Sequence, residues 1–453
     1  MNDELWDKIL DFDLDSPLSQ YGFSTRLADE NYWTAGFTQK AIIEYKKFMY
    51  LAATSEFMVS PSGIIDVVWH QHLIFTQSYQ EFSNVIGKLV QHVPSTHDKQ
   101  DFEKFRQAKN RTNKLYINSF GEQPGDIWNC SDMYESLLLN KAKIKIRTFG
   151  IIGILLSIFL IVPGYFLLKP FYISIDNPDF IWGFGILSVL VIVGLELFNR
   201  NYLANVVNSF GDDTFIRHLQ PMELVYLKTQ KLSNVVNGIV NQLVKEDQIK
   251  VHSDSTIEKV SYRKPKSGEE FQTMEELAFL GRTFYPNLLK ALTNRPVFSN
   301  VSNCMDAFKK YFNKSRKFGI LFYINFAVLA LLFLSGIARF VSGVVRDKPG
   351  TQIFIALTIL MIVIIFYLSR LTRLVCIYTI PNLYKTSLLP QRQVSDDWQW
   401  QYFLFGTSML TASFIPIVTY VDRSNQSGGS SCGSSCGSSC GSSCSSCGGC
   451  GGD

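Results

Sequence analysis

Four apolar runs constrain this chain more than any other feature: Phe149 to Leu168, Phe180 to Phe198, Phe318 to Ile337 and Ile353 to Leu368. Each approaches the roughly 20 residues that an α-helix needs to cross the ~30 Å hydrocarbon core of a bilayer. They fall into two pairs with about a dozen residues between the runs of each pair, the spacing of two antiparallel membrane helices joined by a short turn. Four such runs in one soluble domain would be rare, so buried soluble helices are the weaker explanation. Composition leans the same way, since 47% hydrophobic and only 18% charged residues over 453 positions are skewed toward lipid and leave room for two or three units of ordinary domain size.

Basic residues predict the orientation. Lys141, Lys143, Lys145 and Arg147 crowd the entry to the first run, whereas its turn sets Lys169 against Asp176 and Asp179. Lys309, Lys310, Lys314, Arg316 and Lys317 precede the third run, and Arg370 and Arg373 follow the fourth. Arg339, Arg346 and Lys348 reduce the contrast at the second turn. On the positive-inside rule both hairpins start and end in the cytoplasm, with the N-terminus there too. The first 140 or so residues are polar and periodic, not a short basic and apolar leader, so no signal peptide is expected. Glu196 and Arg339 lie near helix ends, where snorkelling explains them.

The predicted class is mainly α. Residues 1–140 read as a cytoplasmic helical domain, 141–198 as the first transmembrane hairpin, 199–317 as a cytoplasmic insert and 318–369 as the second hairpin. A membrane-proximal segment, 370–425, leads to a disordered Gly/Ser/Cys tail, 426–453.

Within the first domain, Ala41 to Ala53 has a helical apolar rhythm, and Ser60 and Pro61 open the next helix. That helix carries Val68-Trp69-His70-Gln71-His72-Leu73, and His92 follows. Four of the six histidines fall between residues 70 and 97, and neutral imidazole is a common Zn ligand, so His70, His72 and His92 are candidate metal ligands. Residues two apart on a helix point to nearly opposite faces, which favours structural histidines satisfied by a carboxylate or carbonyl. Glu44, Asp66 and Glu81 are the available carboxylates.

Phe23-Ser24-Thr25-Arg26-Leu27-Ala28-Asp29-Glu30-Asn31, Glu44-Tyr45-Lys46-Lys47-Phe48, Ser60-Pro61-Ser62, the Trp69-His70-Gln71-His72 stretch and Phe120-Gly121-Glu122-Gln123-Pro124-Gly125-Asp126-Ile127-Trp128 carry a resemblance. In them the chain resembles the bacterial glycine-rich domain-containing membrane proteins, whose N-terminal domain is similar to that of plant glycine-rich domain proteins. The four runs and the Gly/Ser/Cys tail look like this group as well. The resemblance implies a multi-pass protein of the bacterial inner membrane and supplies no catalytic residues. A paired histidine often follows the central motif in that group, whereas this chain has Gln91-His92, which weakens a shared metal site.

The insert predicts a helix from Pro221, a second over Leu232 to Val244, and strand-like alternation over Gln248 to Ser253, a winged-helix-like order. Lys228, Lys231, Lys245 and Lys250 invite a DNA-binding reading, but Glu223, Glu246 and Asp247 dilute them, so a packing or interaction module is expected and nucleic acid is not. Two further helices over 268–317 lead back to the membrane, with Phe271, Leu277, Leu280 and Phe284 as core candidates. Tyr402 to Tyr420 is apolar enough for a fifth span, but Gly406, Thr407, Ser408, Thr411, Ser413 and Pro416 weaken it. Four spans with a cytoplasmic tail is the preferred reading.

That tail holds six of the nine cysteines: Cys432, Cys436, Cys440, Cys444, Cys447 and Cys450. A flexible chain can wrap any four thiolates around Zn or Cu(I), but the repeat lacks the paired knuckles of structural zinc sites, so solvated, reduced thiols are expected. Cys130, Cys304 and Cys376 stand apart as ordinary buried or membrane-edge thiols. The leading functional expectation is a membrane-anchored interaction or scaffold protein with protein partners on the cytoplasmic side of the bilayer, and a non-enzymatic role is expected over an enzymatic one. The alternatives are a metal-binding or redox-sensing protein using the Cys tail, and a membrane-bound metalloenzyme using the N-terminal histidines. A transporter is least favoured, and no oligomeric state is legible.

Overall fold

A computed structural model of the chain describes residues 2–93, 99–260, 263–390 and 397–427. It is mainly helical. Three helices, Pro178–Asn208, Arg316–Val344 and Thr351–Leu371, are long and apolar enough to cross a membrane. The first run differs from the single straight helix expected of it. It forms Ile146–Phe159 and Ile161–Ile173, which meet at 52° and make a fourth candidate span only as a bent pair. Pro163 explains the bend: it has no N–H to donate and its ring clashes with the carbonyl four residues earlier, at Phe159.

The bent pair runs parallel to Arg316–Val344. Near their starts, the Phe149 and Tyr323 ring centroids lie 4.1 Å apart. Near their ends, the Tyr172 hydroxyl donates to the Ser335 carbonyl at 2.9 Å. On another side of Arg316–Val344, Gly336 lets Thr351–Leu371 and Pro178–Asn208 close up, since a Cβ there would lie 2.6 Å from Leu357 Cδ2 and 2.9 Å from Phe184 Cζ. Close approach through small residues replaces the hydrophobic drive that lipid cannot supply.

Polar groups inside the bundle are paired. Asn325, within the third run, exchanges amide hydrogen bonds with Asn199 at 2.7 and 2.9 Å, and Asn199 also donates to the Tyr367 hydroxyl at 2.9 Å. An amide in hydrocarbon costs free energy unless it finds such a partner. Arg339 does not snorkel: it is buried and donates to the carbonyls of Tyr172 and Ile175, where the helix 161–173 ends. A cation satisfying terminal carbonyls complements the negative end of the helix dipole. Glu196 accepts from Arg200 at 2.8 Å and from Arg370 at 2.8 and 3.0 Å.

The remaining elements pack into one body. Helices Asp3–Asp11, Phe23–Asn31, Ala35–Thr54, Gly63–Ile74, Thr76–Ile86 and Lys99–Phe120 form the N-terminal part. The insert brings helices Pro221–Thr229 and Leu232–Lys245, then strands β1 (Ile249–Val251), β2 (Thr256–Lys259) and β3 (Thr283–Phe284) in an antiparallel sheet of order β1-β2-β3. The two parts share a continuous core that includes Trp33, Phe37, Tyr134, Phe215, Phe298 and Phe308. Side chains bridge them: the Asn300 amide donates to the Trp33 carbonyl at 3.2 Å, and the Tyr134 hydroxyl, 2.9 Å from the Tyr32 carbonyl of its own part, lies 3.2 Å from the Cys304 carbonyl of the other.

Residues 402–420 join this body. The helix Trp398–Phe405 ends at Gly406, whose φ of +66° an L side chain adopts only under strain, and a new helix starts at Ile415. Tyr402 donates to the Asn234 carbonyl at 2.9 Å, Asn241 Oδ1 accepts from the Thr411 N–H at 2.8 Å, and Phe414 meets Tyr285 with ring centroids 4.9 Å apart. The stretch is broken into short helices and is not one membrane-length helix.

Candidate functional site

The helix Gly63–Ile74 starts at Ser62, whose side chain accepts from the Ile65 N–H at 3.2 Å. Such a cap satisfies one of the N–H groups that a helix start leaves unpaired. Ile64, Ile65, Val68 and Trp69 face the core. That choice of face sends the two histidines of the motif in different directions, as their spacing predicts.

His72 points inward. Its Nδ1 lies 2.8 Å from the Tyr45 hydroxyl and its Nε2 lies 3.2 Å from Ser78 Oγ, and the residue is fully buried. Burial pushes its pKa down to about 4, so the ring is neutral. Both nitrogens are already engaged. The expectation that His72 joins His70 and His92 around one metal is therefore corrected: His72 is a core residue.

His70 and His92 do come together, with ring centroids 4.3 Å apart. Asp66, one turn before His70, completes the group. One Asp66 carboxylate oxygen lies 2.9 Å from His92 Nε2, the other lies 3.4 Å from His70 Nδ1, and His70 Nδ1 also contacts the Asp66 carbonyl at 2.8 Å. One ligand atom from each of the three residues lies within 4.8 Å of the others.

Held irregular backbone delivers His92. Lys88 Nζ donates to the carbonyls of Ala52 at 2.8 Å and Ser55 at 3.1 Å, and Tyr79 donates to the Val90 carbonyl while accepting from Trp69 Nε1 at 3.2 Å. The His92 ring then packs edge-on against Trp69 at 4.6 Å. Beside the three residues opens a cleft of about 500 Å³, with Phe57, Trp69, Lys88, Leu89 and Val93 among its walls.

The other carboxylates serve elsewhere. Glu44 accepts from Lys47, Tyr116 and Trp128, and Glu81 accepts from Gln77. His97 and the six tail cysteines lie outside the described residues. Sequence reasoning named Asp66 only as a partner for a histidine, although its place four residues before His70 is the signal for a shared helix face. Nothing local announces the approach of His92, because the path of 88–93 depends on Tyr79 and Trp69.

A family model described as UCP032817-like matches residues 24–115. No curated protein and no solved structure matches the chain. The UCP032817-like stretch contains Asp66, His70, His72, His92 and the cleft walls. The membrane-length helices lie outside it.

Proposed function

We propose that this chain is a multi-pass protein of the bacterial inner membrane whose one-piece cytoplasmic body is a docking platform for a protein partner. The observation that carries the reading is the apolar rim of the cleft. Phe57, Leu89 and Val93 are 65%, 63% and 54% exposed and line one opening. Single exposed apolar residues are ordinary, whereas several around a concave site mark a binding surface.

The winged-helix-like order of the insert fits packing better than nucleic-acid binding. A groove-reading helix needs a free face, but Leu232–Lys245 buries Val235, Val236, Asn237, Gly238, Ile239, Val240, Asn241 and Leu243. Gln242 accepts from Gln399 at 2.8 Å on the same helix.

Two experiments test the proposal. A photo-crosslinking residue at Phe57 in living cells is expected to give a discrete adduct with a second protein, and the same residue at Asp254, exposed between β1 and β2 of the insert, is not. No adduct from Phe57, or equal yields from both positions, would sink the docking reading. The four-span topology, with the bent pair counted as one span, has its own check. A membrane-impermeant maleimide is expected to leave Cys432 to Cys450 unmodified in intact cells and to label them after permeabilisation; labelling from outside would reverse the topology.

A further inference from the structure

We propose that Asp66, His70 and His92 form a binding site for a divalent first-row transition metal, with Zn²⁺ the best match, on the wall of the cleft. Two imidazoles and a carboxylate are a donor set that suits zinc and its neighbours. Their ligand atoms converge within 4.8 Å. Zinc held at about 2.0–2.2 Å from nitrogen and oxygen donors draws those donors to roughly 3.3 Å from one another. The His92–Asp66 contact of 2.9 Å and the His70–Asp66 contact of 3.4 Å already bracket that spacing.

Charge points the same way. Among the described residues the ion pairs of Asp66 are with His70 and His92 alone, with no lysine or arginine set against it. A carboxylate and two imidazoles, each able to offer a nitrogen lone pair, converge there, which is a donor set for a cation. Ligation through His70 Nδ1 would replace its 2.8 Å contact with the Asp66 carbonyl, whereas packing on Trp69 at 4.6 Å already orients the His92 ring. Outer contacts of this kind set ring orientation before the metal arrives.

Three protein ligands leave a coordination position open, as in zinc sites that take water or an anionic group as the fourth ligand. Asp66 and His92 line the cleft, so an anionic group such as a carboxylate that enters it is the chemistry the site would take. The inference stands without the docking reading, because a metal can bind with no partner present.

The test uses the full chain in detergent with Cys432→Ser, Cys436→Ser, Cys440→Ser, Cys444→Ser, Cys447→Ser and Cys450→Ser, so that tail thiols contribute nothing. After chelator treatment and its removal, titration with Zn²⁺ is expected to load one equivalent per chain. Co²⁺ is expected to load the same site with visible absorption of a nitrogen- and oxygen-ligated ion. Asp66→Asn and His92→Ala are each expected to weaken binding at least roughly tenfold. His70→Ala removes an exposed side chain, so it is expected to keep the metal-free melting temperature while losing the metal. No zinc uptake at micromolar free metal would overturn the site, as would affinity unchanged by His70→Ala. Neither result would touch the Phe57 crosslink.

Discussion

Replacing Glu44 with alanine is expected to cost the full chain about 3–5 kcal/mol of unfolding free energy, the range for stripping a buried charge of its partner. Glu44 is buried in the helix Ala35–Thr54 and ties three elements together. One carboxylate oxygen accepts from Lys47 Nζ at 2.7 Å, and the other accepts from the Tyr116 hydroxyl at 2.8 Å and Trp128 Nε1 at 2.8 Å. Tyr116 belongs to Lys99–Phe120 and Trp128 to the short helix Gly125–Trp128. Burial first, then the neighbouring Glu44 charge, raises the Tyr116 pKa far above its ordinary value, so its hydroxyl remains a donor at any ordinary pH.

Alanine would leave the indole N–H without its acceptor and the Lys47 ammonium, over the Tyr116 and Phe120 rings at 5.4 and 5.6 Å, without its counter-charge. Each orphaned donor costs about 1–3 kcal/mol where water cannot replace the partner. Glu44→Gln keeps one acceptor oxygen but turns an amide toward a donor, so an intermediate loss is expected. Denaturant unfolding of both variants in detergent, followed by tryptophan fluorescence, measures this. A loss below about 1 kcal/mol for Glu44→Ala would mean that water enters and takes over the acceptor role.

What the sequence disclosed follows the range of the interactions. The apolar runs are local in composition, so the three membrane-length helices were legible, and the opposed directions of His70 and His72 follow from two positions of helical spacing. Pro163 lay in plain sight within the first run, but its consequence is a bend, which hydropathy does not report. Tyr402 to Tyr420 is apolar because it packs on the insert through Tyr285, Asn234 and Asn241, and apolar content alone does not distinguish protein from lipid as the surroundings. The division into residues 1–140 and 199–317 missed their shared core, since contacts such as Asn300 to Trp33 join residues far apart in the chain. Asp66, His70 and His92 were legible one residue at a time but not as a group.

Glu223 is the sharpest case of this kind, because in sequence it reads as one of the acids diluting the lysines of the insert. In the fold its carboxyl is buried and caps two helix starts, accepting from the Ala35 N–H at 2.9 Å and from the Gln220 N–H at 2.7 Å. Gly36 permits the approach, since a Cβ there would sit 2.8 Å from the His218 carbonyl oxygen. Two effects compete: burial disfavours the charged carboxylate, while the two N–H donors favour it. Burial wins and pushes the pKa up to about 7 from the ordinary 4.5, with the Glu269 charge adding in the same direction. Between those two values the folded chain holds a proton that the unfolded chain has released, so this group makes stability fall as pH rises through that window. Below it both states are protonated, above it both are charged, and the slope vanishes at either side. At about 1.4 kcal/mol per unit, the change across the window is about 3 kcal/mol. Glu223→Gln has no such proton to lose. Its stability relative to the parent chain is therefore expected to improve by about 3 kcal/mol between pH 4.5 and pH 7.5 and to level off beyond. Unfolding free energies of the two chains across that range, in the same detergent, read the difference directly. Parallel curves would show that the N–H groups of Ala35 and Gln220 hold the carboxylate charged despite its burial.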